Sequence, residues 1–199
     1  RSAFYRCENL SEIVFPETLT NIRSWAFVRC PEIKSVSIPV NVNKLGCPVF
    51  VNCEKLMHVT VDNKNRSFSH SLDQHLLLDK KQKVLLYVAN GAKEIELPKS
   101  VTTIGPWAFK DAKSLTKVFI PSNVNYVSSD AFDNCHGLLG FEVDPKNKYF
   151  TSIDGLLVKK EKTKFSLTRV PAGIKDNLLI PKGVTNILND SISTSIFIN

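Results

Sequence analysis

Long apolar runs and a full set of paired cysteines are missing from this sequence. No apolar stretch approaches the ~20 residues that a membrane-spanning helix needs, and no basic-then-apolar leader opens the chain. Five cysteines are too few for a disulfide scaffold, and the number is odd. Apolar residues make up 43% of the chain and charged residues 23%, which excludes a disordered protein. We therefore expect a folded protein whose residues here do not insert directly into a membrane.

Catalytic signatures are missing as well. The eight glycines form no phosphate-binding loop, and no nucleophile elbow is present. Of the four histidines, His70 and His75 lie five residues apart in a segment that we interpret as a loop, without partners at metal-ligand spacing. We expect no enzymatic activity, no metal site and no cofactor.

The sequence does contain an internal repeat. Phenylalanines, prolines and cysteines recur at intervals of 23 residues, and a short apolar run follows each cysteine slot. The phenylalanine slots are Phe4, Phe27, Phe50, Phe109 and Phe132, and the cysteines that follow three residues later are Cys7, Cys30, Cys53 and Cys135. So many slots recurring at one period identify a repeat protein.

A longer period is nested in the shorter one. The apolar runs end at Phe15, Ile38, Val61, Leu97, Ile120, Val143 and Ile180, so that most units span 23 residues and two span 36 or 37. Two short units and one long unit form a block of 82 or 83 residues, which occurs twice. The long units contain insertions at 62–93 and 144–176, and the pattern of each insertion predicts a β-hairpin with a basic turn.

This periodicity predicts a solenoid. One repeat unit, called a coil below, has too few apolar side chains to form a core alone, so the coils must stack and cover one another. The alternating apolar residues before each proline predict one short parallel strand per coil, with its polar side chains facing outward. The Ala-Phe-x-x-Cys stretch turns the chain, and its phenylalanines should form a column along the core.

Several runs resemble the BspA-like, treponemal-type class of leucine-rich repeats, namely AFVRCPEIKSVSIP, VTTIGPWAF and AFKDAKSLTKVFIPSNVNYVSSDAFDNCHGLLGFEV. The resemblance covers nearly the whole chain, although the first long coil has Gln74-His75 where the second has Gly155. It implies a leucine-rich-repeat solenoid, α/β horseshoe-like but β-rich, with turns or short helices on the convex side. It also implies a cell-surface or secreted protein of mucosal bacteria or anaerobic protists that serves adhesion and partner binding.

We expect residues 1–199 to form a single solenoid fragment that is truncated at both ends. The chain opens inside a coil at Ala3-Phe4, and Ile192, Ser195 and Ile198 still fall in repeat slots near its last residue. Terminal coils normally carry a polar cap. The sequence therefore favours a piece of a longer solenoid.

The outward strand positions predict a binding surface on the concave side. Most are polar, but Phe119 is a large aromatic flanked by glutamates of neighbouring coils, and such a residue can anchor an interface. It could equally pack against its own neighbours. The candidate protein-binding residues are Glu94, Glu96, Lys117, Phe119, Glu142 and Leu179. They favour a non-enzymatic module that engages a host or matrix protein.

The positive charge is concentrated in the two insertions. The chain carries a net charge of +7, of which the first insertion supplies +3 and the second +4. The lysines that could bind a polyanionic glycan are Lys80, Lys81, Lys83, Lys159, Lys160, Lys162 and Lys164. Alternatively, these lysines are simply solvated and discourage edge pairing, and the chain is a structural spacer. Nucleic acid is not expected, because no aromatic residues interleave the lysines.

The cysteines and one asparagine complete the candidates. The cysteine column could be a metal or redox ladder, or a row of small buried side chains, and Ala112 in one coil favours the second interpretation. Cys47 lies off the column and is the candidate for a free or partnered thiol. Asn65 begins an Asn-x-Ser triplet in a polar stretch, which makes it the candidate glycan acceptor.

Overall fold

A computed structural model describes residues 3–174 and 178–192. Each coil is numbered by the apolar run at its end, so that coil one ends at Phe15 and coil seven at Ile180. In chain order the strands are β1 (Asn21–Ile22), β2 (Phe27–Val28), β3 (Ser35–Ile38), β4 (Lys44–Leu45), β5 (Phe50–Val51), β6 (His58–Val61), β7 (Phe68–His70), β8 (Leu76–Asp79), β9 (Val84–Val88), β10 (Glu94–Glu96), β11 (Thr103–Ile104), β12 (Lys117–Ile120), β13 (Tyr126–Val127), β14 (Gly140–Val143), β15 (Phe150–Ile153), β16 (Leu156–Lys160), β17 (Phe165–Arg169) and β18 (Asn186–Ile187).

The strands before the proline slots stack in parallel, as the period predicts. β3 pairs with β6, and β10, β12 and β14 form a three-stranded sheet in which each residue lies beside the one 23 positions away. Alternate side chains on these strands are buried, because successive residues of a strand point to opposite faces. The predicted solenoid of short parallel strands is therefore confirmed.

Both long coils contain the predicted hairpins. β8 pairs antiparallel with β7 on one side and with β9 on the other, and β16 pairs in the same way with β15 and β17. The last strand of each hairpin sheet also pairs in parallel with the next coil, β9 with β11 and β17 with β18. The hairpins are thus extensions of the solenoid wall.

Of the turns or short helices expected on the convex side, the part of the chain that the structure describes has turns and no helix. The residue two positions after the phenylalanine slot has a positive φ, between 53° and 63°, in five coils: Arg6, Arg29, Asn52, Asp111 and Asn134. A left-handed residue cannot continue a right-handed helix, so the turn ends after a few residues.

The predicted strand before the proline slot is present in coils two to six but not in the described residues of the two end coils. Residues 12–15 of coil one and 178–180 of coil seven are described but form no strand. At the far end, the backbone N–H of Phe141 donates to the carbonyl of Gly155 at 2.9 Å. The hairpin therefore occupies the edge of β14 that a strand of coil seven would need.

The core contains the predicted phenylalanine column. The rings of Phe27 and Phe50 stack with centroids 5.5 Å apart, and those of Phe109 and Phe132 stack at 4.6 Å. Tyr87 continues the first stack, with its ring 5.3 Å from that of Phe50. Buried aromatic rings thus join coils two, three and four in one column and coils five and six in another, which a single coil could not achieve alone.

Candidate functional site

Three adjacent strands place a mixed acidic and aromatic patch on the outward strand face. Phe119 on β12 lies directly between Glu96 on β10 and Glu142 on β14, as the sequence predicts. Phe119 is half-buried, whereas both glutamates are exposed. Its ring is therefore held by its neighbours but remains accessible from the outside. We call Glu94, Glu96, Lys117, Phe119 and Glu142 the Phe119 patch.

Charge on the Phe119 patch is predominantly negative. The ammonium of Lys117 pairs with the carboxylate of Glu142 at 2.5 Å, and both side chains are about half exposed. The hydrogen bond and the charge of Glu142 raise the pKa of Lys117. Glu94 and Glu96 have no such cationic partner among the described residues, which leaves an excess of carboxylate beside the aromatic ring.

Leu179 does not join the Phe119 patch. Its side chain is 82% exposed, and it lies in the segment 178–180 that forms no strand. The hairpin contact of Gly155 with β14 explains its absence from the ladder. Asn177, which the sequence places beside Leu179, lies outside the described residues.

The hairpin lysines differ in solvent exposure and in the contacts of their ammonium groups. In the turn between β8 and β9, Lys80, Lys81 and Lys83 are all exposed. In the second hairpin, Lys159 lies 4.0 Å from Glu161, and Lys160 donates to the backbone carbonyl of Asn147. The lysines of that hairpin that are exposed are Lys162 and Lys164.

Asn65 is not the accessible glycan acceptor that the sequence predicts. It is 1% exposed, and its Nδ2 donates to the carbonyls of Pro39 at 2.7 Å and Val42 at 2.9 Å. Its Oδ1 accepts from two backbone N–H groups at the start of the hairpin. Asn147 makes the equivalent four hydrogen bonds in the second long coil. The two asparagines fix where each hairpin leaves the solenoid.

Two buried charged residues that the sequence analysis did not single out link coils along the turn edge. Asp111 is 6% exposed and accepts from the backbone N–H of Asn52 and the side chain of Asn134. Arg169 is 2% exposed and donates to the carbonyls of Ser129 and Asp190 and to the carboxylate of Asp133. Arg169 and Tyr87 occupy equivalent positions of the 82-residue block. A charged residue at a position that an aromatic residue fills in the first block was therefore the sequence signal that could have identified Arg169.

The cysteine column is structural. Cys30, Cys53 and Cys135 are buried, and each sulfur lies within hydrogen-bond reach of the carbonyl of the phenylalanine one coil earlier. Burial raises the pKa of Cys53 and of Cys135 to about 12, so both stay protonated. Across residues 3–174 and 178–192, no three His, Cys, Asp or Glu side chains lie close enough to hold a metal ion.

No helix in the described part of the chain is both long and apolar enough to cross a bilayer. Comparison with curated proteins gives no match. Among solved structures, the fold is similar to that of the pneumococcal vaccine antigen PcpA, with 24% identity and a TM-score of 0.64 over 70% of this chain and 35% of that one. It is also similar to a leucine-rich cell surface protein from Faecalibacterium prausnitzii, with 20% identity and a TM-score of 0.63 over 96% of this chain and 53% of that one.

The present chain thus spans between about a third and just over half of these two proteins, and the likeness shows the fold alone. The family evidence comes from the sequence. The family described as BspA type Leucine rich repeat region matches residues 1–75 and 83–154 in six copies, and no catalytic family is indicated. With its repeat period, its parallel strands and this match, the chain belongs to the BspA-type leucine-rich repeat family.

Proposed function

We propose that this chain is the binding module of a cell-surface or secreted protein, and that it engages a host or matrix protein through its outward strand face. Leucine-rich repeat surface proteins are a family of interaction modules, and one similar solved protein is named as a cell surface protein. Binding measurements with purified candidate proteins would identify the target.

One observation carries the proposal. Phe119 is a large aromatic that faces outward from the middle strand of a hydrogen-bonded sheet, between two carboxylates. Rigid strands hold the ring in place, so little conformational entropy is lost when a partner covers it. Aromatic residues in such a setting are enriched among interface hot spots. The excess of carboxylate favours a partner that brings basic groups to the same surface.

The experiment is a binding panel with the purified chain against immobilised extracellular-matrix proteins and host cell-surface proteins. We expect saturable binding to at least one member, with weaker binding after Phe119→Ala. Absence of binding to every member would favour the structural spacer.

Polyanion binding is a second candidate, supported by the exposure of five hairpin lysines: Lys80, Lys81, Lys83, Lys162 and Lys164. Clustered exposed cations attract sulfated glycans, and salt screens that attraction. Retention on heparin that persists to high salt and falls in the triple Lys80→Gln, Lys81→Gln, Lys83→Gln variant would support it. Elution at low salt would leave these lysines as solvating groups.

A further inference from the structure

Two tryptophans from coils that are not neighbours meet at the surface. Trp25 of coil two and Trp107 of coil five are 82 residues apart and occupy the same slot of the repeat. Their rings lie 5.9 Å apart between centroids and are tilted by 56°. Both residues have a positive φ, 62° and 51°, a conformation that bulky residues adopt rarely and that often marks a functional site.

The rings line an open cleft of about 510 Å³ on the turn edge, away from the strands of the Phe119 patch. Gly46 allows its wall to form, because a Cβ at this position would lie 1.9 Å from the backbone nitrogen of Ser24. Around the rings, the polar side chains are those of Asn21, Arg23, Ser24, Lys44 and Cys47. We call this site the tryptophan cleft.

The charged residues that line the tryptophan cleft have one sign, and the nearest opposing charge is the Asp130 carboxylate, which acts on the thiol of Cys47. Arg23 and Lys44 are exposed cations on its rim, and no carboxylate is among the described residues that line it. A guanidinium binds a carboxylate through two parallel hydrogen bonds, and an ammonium adds a second point charge. The rim therefore suits a ligand with an acidic group.

The two indoles specify the rest of the ligand. A tryptophan face is a large, rigid apolar surface, and binding pockets combine such surfaces with a few polar groups that fix orientation. The C–H face of a six-membered sugar ring matches an indole in size, and its hydroxyls can reach Asn21 and Ser24 at the rim. We propose that the tryptophan cleft binds an acidic saccharide, with a sugar ring on the indoles and its carboxylate at Arg23 and Lys44.

Tryptophan fluorescence gives a selective test, because Trp25 and Trp107 are the two tryptophans of the sequence and both lie in the cleft. The probe is a disaccharide of glucuronic acid and N-acetylglucosamine, which carries one carboxylate. We expect a saturable change in emission. A neutral disaccharide such as lactose should bind at least about tenfold more weakly, as expected for loss of one charge-assisted contact.

The exposed positions Arg23 and Lys44 provide variants that keep the fold. The double variant Arg23→Gln, Lys44→Gln should lose about tenfold or more in affinity for the acidic disaccharide. The matched control Lys34→Gln, Lys99→Gln changes two exposed lysines outside both the cleft and the hairpins, and it should bind as the unmodified chain does.

Three results would overturn the proposal. They are no saturable change with the unmodified chain at millimolar disaccharide, equal affinity in the Arg23 and Lys44 double variant, and equal or tighter binding of a tetraglutamate peptide. The last result would assign the cleft to an acidic peptide instead.

Discussion

The Asp111 carboxylate accepts a hydrogen bond from the backbone N–H of Asn52 at 3.2 Å, although 59 residues separate the two. The same offset joins Lys113 to Glu54 at 2.6 Å. Coil five therefore contacts coil three along the turn edge, because the chain of the long coil four leaves the solenoid there to form its hairpin. The sheet on the strand face is interrupted between β6 and β10, and on the turn edge these two contacts form a staple that joins coil three to coil five across the hairpin.

Replacing Asp111 with alanine should destabilise the fold. The change removes the acceptor of the partly buried N–H of Asn52, at a cost of about 1–3 kcal/mol, and also that of the exposed amide of Asn134, which water can replace. Urea unfolding followed by tryptophan fluorescence measures the loss. The matched control is Asp62→Ala, since Asp62 is exposed. Equal urea midpoints for the Asp111→Ala and Asp62→Ala variants would contradict a stabilising role of the contact between Asp111 and Asn52.

Arg169→Lys should loosen the second hairpin coil. A lysine cannot reproduce the three hydrogen bonds of the guanidinium, and hydrogen bonds to charged groups contribute about 1.5–3 kcal/mol each. Because coils couple to their neighbours, we expect faster amide exchange at β17 and β18 with little change near Trp25. Hydrogen exchange with mass spectrometry checks this, and uniform protection in both proteins would refute it.

Asn147→Ala should cost more stability than Asn123→Ala. The buried Asn147 makes four hydrogen bonds to backbone groups, two as donor and two as acceptor, whereas the exposed Asn123 donates one to the carbonyl of Lys99. Loss of the buried amide leaves several backbone groups unpaired, so we expect a difference of at least about 2 kcal/mol. Thermal unfolding of the two variants side by side gives the answer, and equal melting temperatures would argue against it.

The column cysteines predict how stability changes with pH. Burial raises the pKa of Cys135 to about 12, whereas a thiol in the unfolded chain ionises near pH 8.5. As pH rises, the thiol therefore loses its proton in the unfolded state first. The contribution of this thiol to the free energy of unfolding is constant below about pH 8.5 and falls as pH rises towards 12.

Cys135→Ala removes one such group. Its stability, measured by urea unfolding at about pH 7 and pH 10, should fall less between the two values than that of the unmodified chain. Other groups titrate in this range, so the difference between the two proteins is the quantity to compare. Parallel profiles would mean that the Cys135 thiol is not buried in its protonated form.

The sequence predicted contacts between adjacent coils and missed those that skip a coil. A 23-residue period implies that Phe27 stacks on Phe50, and the structure confirms it. It does not imply that Trp25 meets Trp107 or that Asp111 reaches Asn52, since those contacts depend on the path of the hairpin in space.

Asn65 illustrates a different gap. Its Asn-x-Ser triplet and polar surroundings suggest an exposed residue, yet its amide is buried by bonds to a coil 23 to 26 residues earlier. The 82-residue spacing to Asn147 was the available signal, because a residue that recurs with the hairpin is expected to serve the hairpin. The Phe119 patch, by contrast, follows from strand alternation alone, except for Leu179.

The most direct test of the account is the affinity of the chain for its partner from the binding panel, measured with two matched double variants. Phe119→Ala, Glu96→Gln changes the Phe119 patch, and Tyr126→Ala, Glu17→Gln changes an exposed aromatic and an exposed carboxylate elsewhere. Loss of a hot-spot aromatic costs about 2 kcal/mol or more, so the first variant should bind at least about 30-fold more weakly. The second should bind as the unmodified chain does. Full retention of affinity by the first variant would place the binding site off the strand face and contradict the proposed function.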